Sequence, residues 1–593
     1  MYILGISCYY HDAAACLLKD GQIIAAAEEE RFSRIKHDFS FPERSINFCL
    51  EYANIQHQDI DYIVFNEKPF RKLERIIKTI VATYPFSVGI FQELFISWMG
   101  DKLWIKSLIE EKIDISPDKI LFCEHHLSHA AASFFCSPFK EAAILTCDGV
   151  GEWATTTLGY ARADWDGRGK NDISLLEEIR FPHSLGLFYS TFTAFLGFEV
   201  NEGEYKVMGM AAFGEAKYAD KIYKLITVNE NGSFRLNMKY FSYHYHTKKS
   251  FNRRLEKLFG KPRNLGARFV TSKTSLYDYK IPPTEEELRE NQYYADIAAS
   301  IQKVTEDILI KVANYLYYKT GLKKLCLGGG VALNCVANSR ILKETQFDEI
   351  FIQPSAGDGG AAMGAALYIW HCFLKKERSF ILYHAFWGKE YSDAEMKNFL
   401  TANNINYQYI EKEVILLESV ADALISGKIV GWFQGRFEWG PRALGNRSIL
   451  ADPRDEKMKD TVNIKIKFRE PFRPFAPSVL SEKAEEFFDL GKAKNQYPLK
   501  FMLYTVPSIK NNLIPAVTHV DGTSRIQIVE KDTNPLFYQL IERFYQRTGM
   551  PVLLNTSFNL KGEPIVNTPE EAFNTFSRSD MDMLVLGKFI LEK

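Results

Sequence analysis

Two histidines spaced four residues apart form the motif with the clearest chemical use. The stretch EHHLSHAA begins at Glu124, and on a helix His125 and His129 share a face, so both imidazoles can point at one metal ion. Further ligands are needed, and Asp148 in CDGVGE and Asp358 in PSAGDGGAAMG lie in glycine-flanked loops that can supply them. This set suits Fe²⁺, Mn²⁺ or Zn²⁺, and the ligand types alone do not distinguish among these three ions. The alternative is that the histidines pack or cap a helix and the aspartates only form turns.

A glycine run lies between a predicted strand and a predicted helix, in LGGGVALNCVAN at 327–338. Glycines in this position leave backbone N–H groups available for an anion or a nucleotide. Asn334, one helical turn further on, can hydrogen-bond a ribose or a base. A structural turn is the alternative. No Walker-type GxxxxGKS occurs, which rules out that phosphate-binding loop.

A third motif is the basic segment 436–473, which begins RFEWGPRALGNRS. It has ten Lys or Arg against six Asp or Glu, a local charge of +4 in a chain whose net charge is −1. Arginines interleaved with Gly, Pro and aromatics differ from the regular alternation of a solvated helix face. The pattern favours a phosphate-binding pocket, because one guanidinium group can donate hydrogen bonds to two phosphoryl oxygens at once. A charged surface is the alternative.

The elements that must position these residues follow an α/β pattern. YILGISCYY and HDAAACLL, then an Asp20-Gly21 turn and QIIAAAEEE, predict a strand followed by a hairpin. A similar arrangement recurs at 142–160, which indicates a duplicated α/β subdomain. A helix is predicted from about 293 to 318, followed by a strand at KLCLG.

Composition limits the domain organisation and the partners. A chain of 593 residues predicts two to four domains. All nine cysteines precede residue 373, and a polar interruption follows at 375–379, so we place domains at 1–375 and 385–593. The balance of 73 Lys and Arg against 74 Asp and Glu argues against nucleic acid as the main partner. The sequence contains no 18-residue apolar run, no signal-peptide pattern and no CxxC pair. We therefore predict a cytoplasmic protein with reduced thiols and no membrane span.

Taken together, the motifs resemble the NodU/CmcH/TobZ family of O-carbamoyltransferases over essentially the whole chain. The matching stretches, in family order, are HDAAA, EEERFSRIKHD, HHLSHAAA, DGVGE, KVMGMAAFG, GGGVALN, PSAGDGGAAMGAA, GRFEWGPRALGNRSILADPR, FREPFRPFAPSV and NTSFN. The fold that this resemblance implies is α/β, with an actin-like ATPase-superfamily domain joined to a C-terminal YrdC-like domain.

The resemblance also implies a two-step reaction. The YrdC-like domain would make carbamoyl adenylate from carbamoyl phosphate and ATP, with Mg²⁺, and the actin-like domain would pass the carbamoyl group to a hydroxyl of a small acceptor such as a sugar or an antibiotic. His11 would be the general base. The Fe²⁺ site would be His125, His129, Asp148 and Asp358. The carbamoyl adenylate would contact Lys36, Asp148, Gly329, Gly330 and Asn334. ATP and carbamoyl phosphate would contact Arg442, Lys467, Arg473, Arg525 and Asn555.

Three other functions share parts of this pattern. A hydrogenase-maturation role of the HypF type is disfavoured, because those proteins carry acylphosphatase and zinc-finger segments and no CxxC occurs here. A non-catalytic nucleotide-binding protein on an actin-like scaffold would leave the His pair and the Arg-rich segment without a purpose. Threonylcarbamoyl transfer to tRNA conflicts with the neutral charge. The acceptor, the metal and the oligomeric state stay open; segment 215–295 is expected to contact the acceptor, and a homodimer is a working assumption.

Overall fold

The structure, a computed structural model, describes residues 1–98, 102–165, 167, 170–274 and 282–593. They form two compact units. The first comprises 1–29, 39–268 and 289–382, and the second comprises 30–38, 269–288 and 383–593. The second unit therefore includes two stretches that lie within the first of the two domains predicted from the sequence.

The strands are, in chain order, β1 Tyr2–Ser7, β2 Ala14–Lys19, β3 Gln22–Glu28, β4 Tyr62–Phe65, β5 Ile120–Phe122, β6 Glu141–Cys147, β7 Ala154–Arg162, β8 Asp172–Arg180, β9 Ile226–Val228, β10 Phe234–Leu236, β11 Lys324–Gly328, β12 Glu349–Ile352, β13 Gln408–Tyr409, β14 Val430–Phe433, β15 Arg447–Ala451, β16 Ala476–Leu480, β17 Val506–Pro507, β18 Thr523–Ser524, β19 Gln527–Val529, β20 Val552–Ser557, β21 Met583–Leu586 and β22 Phe589–Glu592.

The α-helices are α1 Glu30–Ser33, α2 Glu43–Ala53, α3 Pro69–Thr83, α4 Val88–Trp98, α5 Ile105–Ile113, α6 His125–Cys136, α7 Leu185–Phe195, α8 Glu204–Ala211, α9 Ala219–Tyr223, α10 Arg253–Phe259, α11 Glu285–Thr320, α12 Cys335–Glu344, α13 Asp358–Tyr368, α14 Asp393–Ala402, α15 Glu413–Ile425, α16 Glu456–Thr461, α17 Ala484–Phe487, α18 Pro535–Thr548 and α19 Pro569–Ser577.

The first unit contains the same five-stranded sheet twice. The first copy has the order β3-β2-β1-β4-β5, and the second has β8-β7-β6-β11-β12. In each copy the first three strands form an antiparallel meander, and the last two strands run parallel to the first. This repetition defines the duplicated actin-like fold, so the prediction drawn from the two hairpins is confirmed.

The helices α6 and α13 pack directly against each other, and this contact positions the ends of both. A Cβ added at Gly364 of α13 would lie 1.9 Å from the carbonyl oxygen of Ser128 in α6. Only glycine fits where two backbones approach so closely. Both helices are almost entirely buried, in keeping with the alanine and glycine content of HHLSHAAA and DGGAAMGAA.

The second unit is built on an eight-stranded mixed sheet with the order β13-β22-β21-β14-β15-β20-β16-β19. The pairs β14–β21 and β16–β19 are parallel, and the other neighbours are antiparallel. The predicted fold class, an actin-like α/β domain followed by a second α/β domain, is confirmed. Among the described residues, none of the helices combines the length and the apolar character that a membrane crossing requires.

Candidate active site

Four side chains from three places in the first unit converge on one point. His125 and His129 lie in the first turns of α6. Asp148 directly follows β6, and Asp358 is the first residue of α13. All four are at most 8% exposed, and each offers one ligand atom that lies within 4.8 Å of the others. The structure thus brings together the four residues that the sequence analysis named as a metal site.

The distances among these four side chains, hereafter the tetrad, fit a single ion. The two Nε2 atoms of His125 and His129 are 3.1 Å apart. Nε2 of His125 lies 3.1 Å from Oδ2 of Asp148, and Nε2 of each histidine lies 3.6 Å from Oδ1 of Asp358. Donors bound at about 2.1 Å around one ion are separated by roughly 3.0–3.4 Å. The donor set therefore fits a divalent transition metal.

The charges of the tetrad are strongly coupled. Burial alone would lower the pKa of His125, but the hydrogen bond with Asp148 and the charges of Asp358 and Asp148 raise it to about 9. Burial would raise the pKa of Asp148, and the same hydrogen bond with the charges of the histidines instead holds it well below its usual range. The two buried carboxylates thus stabilise positive charge at this site, which suits a cation.

Two backbone contacts hold the tetrad in place. The amide N–H of His125 donates to both carboxylate oxygens of Glu152, at 3.0 and 3.2 Å. The amide N–H of Gly330 donates to Oδ1 of Asp148 at 2.9 Å. Glu152 was not singled out by the sequence analysis, although it lies in the same CDGVGE motif as Asp148. Its carboxylate satisfies the N-terminus of α6 and so fixes the first ligand of the tetrad.

His126 belongs to the same histidine motif but not to the tetrad. Its Nδ1 lies 2.6 Å from the hydroxyl of Thr146, and its Nε2 lies 2.8 Å from the carbonyl oxygen of Ala154. Burial lowers its pKa to about 3, and the charges of His125 and His129 act in the same direction. It is a neutral, hydrogen-bonded core histidine, which is the alternative that the sequence left open for His125 and His129.

His11 lies in the turn after β1, half-buried, with Nδ1 2.7 Å from Oδ2 of Asp12. Burial alone would lower its pKa, but the hydrogen bond and charge of Asp12, together with Asp358 and Asp148, raise it to about 9. His11 therefore lies within the electrostatic reach of the tetrad. At neutral pH this environment favours the imidazolium, which cannot accept a proton.

The glycine loop adjoins the tetrad directly. Gly329 has φ of +89°, and a Cβ there would lie 2.3 Å from the carbonyl oxygen of Cys147. Asn334 caps α12 by accepting from the amide of Ala337, and its amide pairs reciprocally with that of Gln302 at 3.0 and 3.1 Å. The structure thus gives Asn334 a capping role, while its predicted contact with adenylate stays a prediction.

In the second unit, the GRFEWGPRALGNRS motif folds around a buried carboxylate. Oε1 of Glu438 accepts backbone N–H groups from Leu444, Asn446 and Arg447, at 2.8–3.2 Å. Arg447 is buried, donates to backbone carbonyls including that of Gln434 at 2.6 Å, and lies over the ring of Phe433. Part of the basic character of this segment therefore organises the loop itself.

Lys467 and Lys36 lie close enough in the second unit to interact electrostatically. The ammonium of Lys467 donates to oxygens of Ser557 and Asn559, at 2.5–3.2 Å. Burial lowers its pKa well below the usual range, and the charges of Arg469, Arg473 and Lys36 add to the shift. The predicted contact of Lys36 with the carbamoyl adenylate, alongside the glycine loop of the first unit, stays a prediction.

The remaining predicted phosphate contacts also lie in the second unit. Arg442, Arg473 and Arg525 are half-buried. Asn555 is buried on β20 and donates to the carbonyl oxygen of Ala443 and to Ser478 and Gln527, while its own Oδ1 is buried without a hydrogen-bond partner among the described residues. Burial lowers the pKa of His519 to about 4; the charge of Asp521 opposes this shift, and the charges of Arg525 and Lys459 add to it.

The segment expected to contact the acceptor is only partly described, because 275–281 lies outside the described residues. Within the described part, Phe241 is fully buried and forms a β-bridge with Phe251. The hydroxyl of Tyr243 donates to the carbonyl oxygen of Pro182. These aromatics therefore pack within the first unit, and the contact with an acceptor stays a prediction.

Comparison with known families identifies the class of protein. The model described as "Carbamoyltransferase N-terminus" matches residues 2–367, and the model described as "Carbamoyltransferase C-terminus" matches residues 421–593. The chain belongs to the carbamoyltransferase family, as the motifs predicted, and it is an enzyme that transfers carbamoyl groups.

Individual relatives span the whole chain. The chain is 45% identical to "Uncharacterized protein sll1178" of Synechocystis sp., with 100% of this chain and 97% of that protein covered. It is 37% identical to nodulation protein NolNO of Sinorhizobium fredii, over 99% of this chain and 79% of that protein. Over 44% of this chain and 47% of the relative, it is 33% identical to the 3′-hydroxymethylcephem-O-carbamoyltransferase of Streptomyces clavuligerus.

Among solved structures, HypF of T. kodakarensis is similar over 63% of this chain and 48% of that chain, with 13% identity and a TM-score of 0.32.

Proposed function

We propose that this carbamoyltransferase is an ATP-dependent O-carbamoyltransferase that works through carbamoyl adenylate. It would make the adenylate from carbamoyl phosphate and ATP, and then transfer the carbamoyl group to a hydroxyl of a small acceptor, such as a sugar, an antibiotic or another natural product. The observation that carries the proposal is the buried tetrad of His125, His129, Asp148 and Asp358, which adjoins the glycine loop at 328–330. The O-carbamoyltransferase name of one relative supports transfer to oxygen.

The first step forms the adenylate and releases phosphate and pyrophosphate. Carbamoyl phosphate gives up its phosphate to water, and an oxygen of the resulting carbamate attacks the α-phosphorus of ATP. The bond between the α- and β-phosphates breaks, and pyrophosphate leaves. The positive potential around Arg473, Lys36 and Lys467 supports phosphate binding in the second unit. Mg²⁺ is expected to accompany ATP.

The tetrad would hold a divalent metal, which we propose to be Fe²⁺, with Mn²⁺ and Zn²⁺ as the alternatives that the same donors accept. When bound, such an ion supplies Lewis-acid stabilisation of oxygens that gain negative charge. The residues of the chain supply the rest. The amide N–H of Gly330 holds Asp148, and Glu152 fixes the start of α6.

In the second step, the acceptor oxygen would attack the carbamoyl carbon while the bond to the AMP oxygen breaks. His11 would take the hydroxyl proton at a ring nitrogen, and AMP would leave. His11 can do so only in its neutral form, and Asp12 orients it through Nδ1. A cytoplasmic location belongs to the same proposal, supported by nine free cysteines of which eight are buried.

The test is to measure pyrophosphate after the purified protein is incubated with ATP, Mg²⁺, Fe²⁺ and carbamoyl phosphate. We expect pyrophosphate only when both ATP and carbamoyl phosphate are present. A panel of sugars and antibiotics, screened by mass for the addition of one carbamoyl group, then identifies the acceptor. Nucleotide binding without any pyrophosphate would overturn the proposal in favour of the non-catalytic alternative.

A further inference from the structure

One helix of the first unit, α3, has its amphipathic faces reversed. Its charged residues Lys72 and Arg75 are buried. The ammonium of Lys72 pairs with Glu67 at 2.5 Å, and the guanidinium of Arg75 donates to the carbonyl oxygen of Gly151 at 3.0 Å. These contacts fix the rotation of α3 about its own axis, so its apolar side cannot turn inward.

The outward side of α3 is therefore an apolar surface. The side chains of Phe70, Ile77 and Val81 on α3, Tyr84 at its end, and Phe86 and Phe91 just beyond are between 46% and 75% exposed. We call these six residues the apolar face. Since an aromatic side chain presents about 150–250 Å², the face exposes on the order of 800 Å². A soluble monomer rarely leaves so much apolar surface exposed in one region.

The spacing of the apolar face matches a helical partner. Phe70, Ile77 and Tyr84 of the apolar face, with the half-buried Leu73 and Ile80 between them, follow one another at intervals of three, four, three and four residues. This is the repeat with which one helix packs against another along a narrow seam.

We propose that the apolar face is a homodimer interface in which α3 packs antiparallel against α3 of a second copy. An antiparallel pair with its two-fold axis near Ile77 places Phe70 of each copy opposite Tyr84 of the other. It also brings Glu74 of each copy within a turn of Lys78 of the other, and these two residues lie beside the seam as an exposed ion pair. The area matches as well, because a standard interface buries about 800 Å² on each partner.

The interface is tested by the mass of the protein in solution. We expect the wild-type chain to be a dimer at micromolar concentration by sedimentation or light scattering. Val81→Asp should raise the dissociation constant by at least about 30-fold, because it places a charge on the apolar face one helical turn from Ile77 at the axis. The matched control is Tyr318→Asp, which changes a similarly exposed side chain on α11 and should leave the dimer intact. Circular dichroism and thermal melting confirm that each variant is folded.

A cysteine scan tests the register. Ile77→Cys should cross-link to itself under oxidising conditions, because it lies at the axis. Val81→Cys should not, since its two copies would be about 12 Å apart along the helices, which is beyond the reach of a disulfide.

Three results would overturn the proposal. The first is a wild-type chain that stays monomeric at high concentration, including one that instead binds phosphatidylglycerol vesicles. The second is a dimer that Val81→Asp leaves unchanged. The third is cross-linking at Val81→Cys rather than at Ile77→Cys.

Discussion

At the scale of single residues, the three histidines of one motif have different environments and therefore different uses. His125 and His129 direct Nε2 toward the carboxylates of Asp148 and Asp358. His126 instead uses both ring nitrogens for hydrogen bonds with Thr146 and Ala154. We predict that His129→Ala loses its bound metal, because removing one of four ligands weakens binding strongly. Elemental analysis of the purified variant measures this.

His126→Ala is the control for that experiment. It removes a neighbouring buried histidine and its hydrogen bonds with Thr146 and Ala154, which should cost about 1–3 kcal/mol of stability. It should nevertheless keep stoichiometric metal. If His129→Ala retained a full equivalent of metal, or if both variants lost it equally, the assignment of the tetrad would fail.

A second residue-scale prediction concerns the pH dependence of His11. Its pKa is raised to about 9, so the neutral form that accepts a proton is the minor one at pH 7. Below pH 9, each rise of one pH unit makes this neutral form about tenfold more abundant. Transfer from preformed carbamoyl adenylate should therefore rise with pH and level off near pH 9. Asp12→Asn removes the main cause of the raised pKa, so the plateau should begin at lower pH.

Substitution of His11 itself separates a base from a positioning residue. His11→Ala should lose roughly 10²- to 10⁴-fold in transfer, the usual effect of losing a general base. His11→Asn should do no better, since an amide can hydrogen-bond but cannot accept the proton at neutral pH. Near-wild-type turnover by the Asn variant would mean that the base lies elsewhere.

At the scale of elements, the site depends on a turn that only glycine can make. Gly329 combines φ of +89° with a Cβ position 2.3 Å from Cys147, and the next amide, that of Gly330, holds Asp148. We predict that Gly329→Ala lowers stability by more than about 1 kcal/mol and weakens metal binding. Gly321→Ala is the control, because Gly321 also has positive φ but has open space around it. Equal metal affinity in the two variants, measured by titration, would contradict this.

The elements also show what the sequence could and could not predict. Local patterns sufficed for the turn at Asp20-Gly21, for α6 and for the duplicated hairpins, because periodicity and turn chemistry act over a few residues. Spacing on one helix correctly paired His125 with His129, and glycine flanks pointed to Asp148 and Asp358.

Long-range packing produced the features that the sequence did not disclose. The amide pairing of Asn334 with Gln302 joins residues 32 positions apart, and the contacts of Lys467 with Ser557 span 90. Nothing in the local pattern around either residue distinguishes these partners from a ligand. The outward apolar side of α3 is of the same kind, since the sequence shows the amphipathic period but not which side faces the protein.

At the scale of the whole molecule, the two units divide the proposed reaction, so a defect in one step should leave the other intact. Arg473 is the better probe of the second unit, because Lys467 is a buried ammonium with structural partners whose loss would also destabilise the fold. We predict that Arg473→Ala makes no pyrophosphate but keeps its metal, and that adding preformed carbamoyl adenylate restores transfer. His129→Ala should release pyrophosphate normally and fail to transfer even when the adenylate is supplied. Mass spectrometry of the acceptor and a pyrophosphate assay measure the two steps separately. Adenylate synthesis by Arg473→Ala at the wild-type rate would remove Arg473 from the phosphate site, whereas loss of both steps in either variant would show that the units do not divide the chemistry.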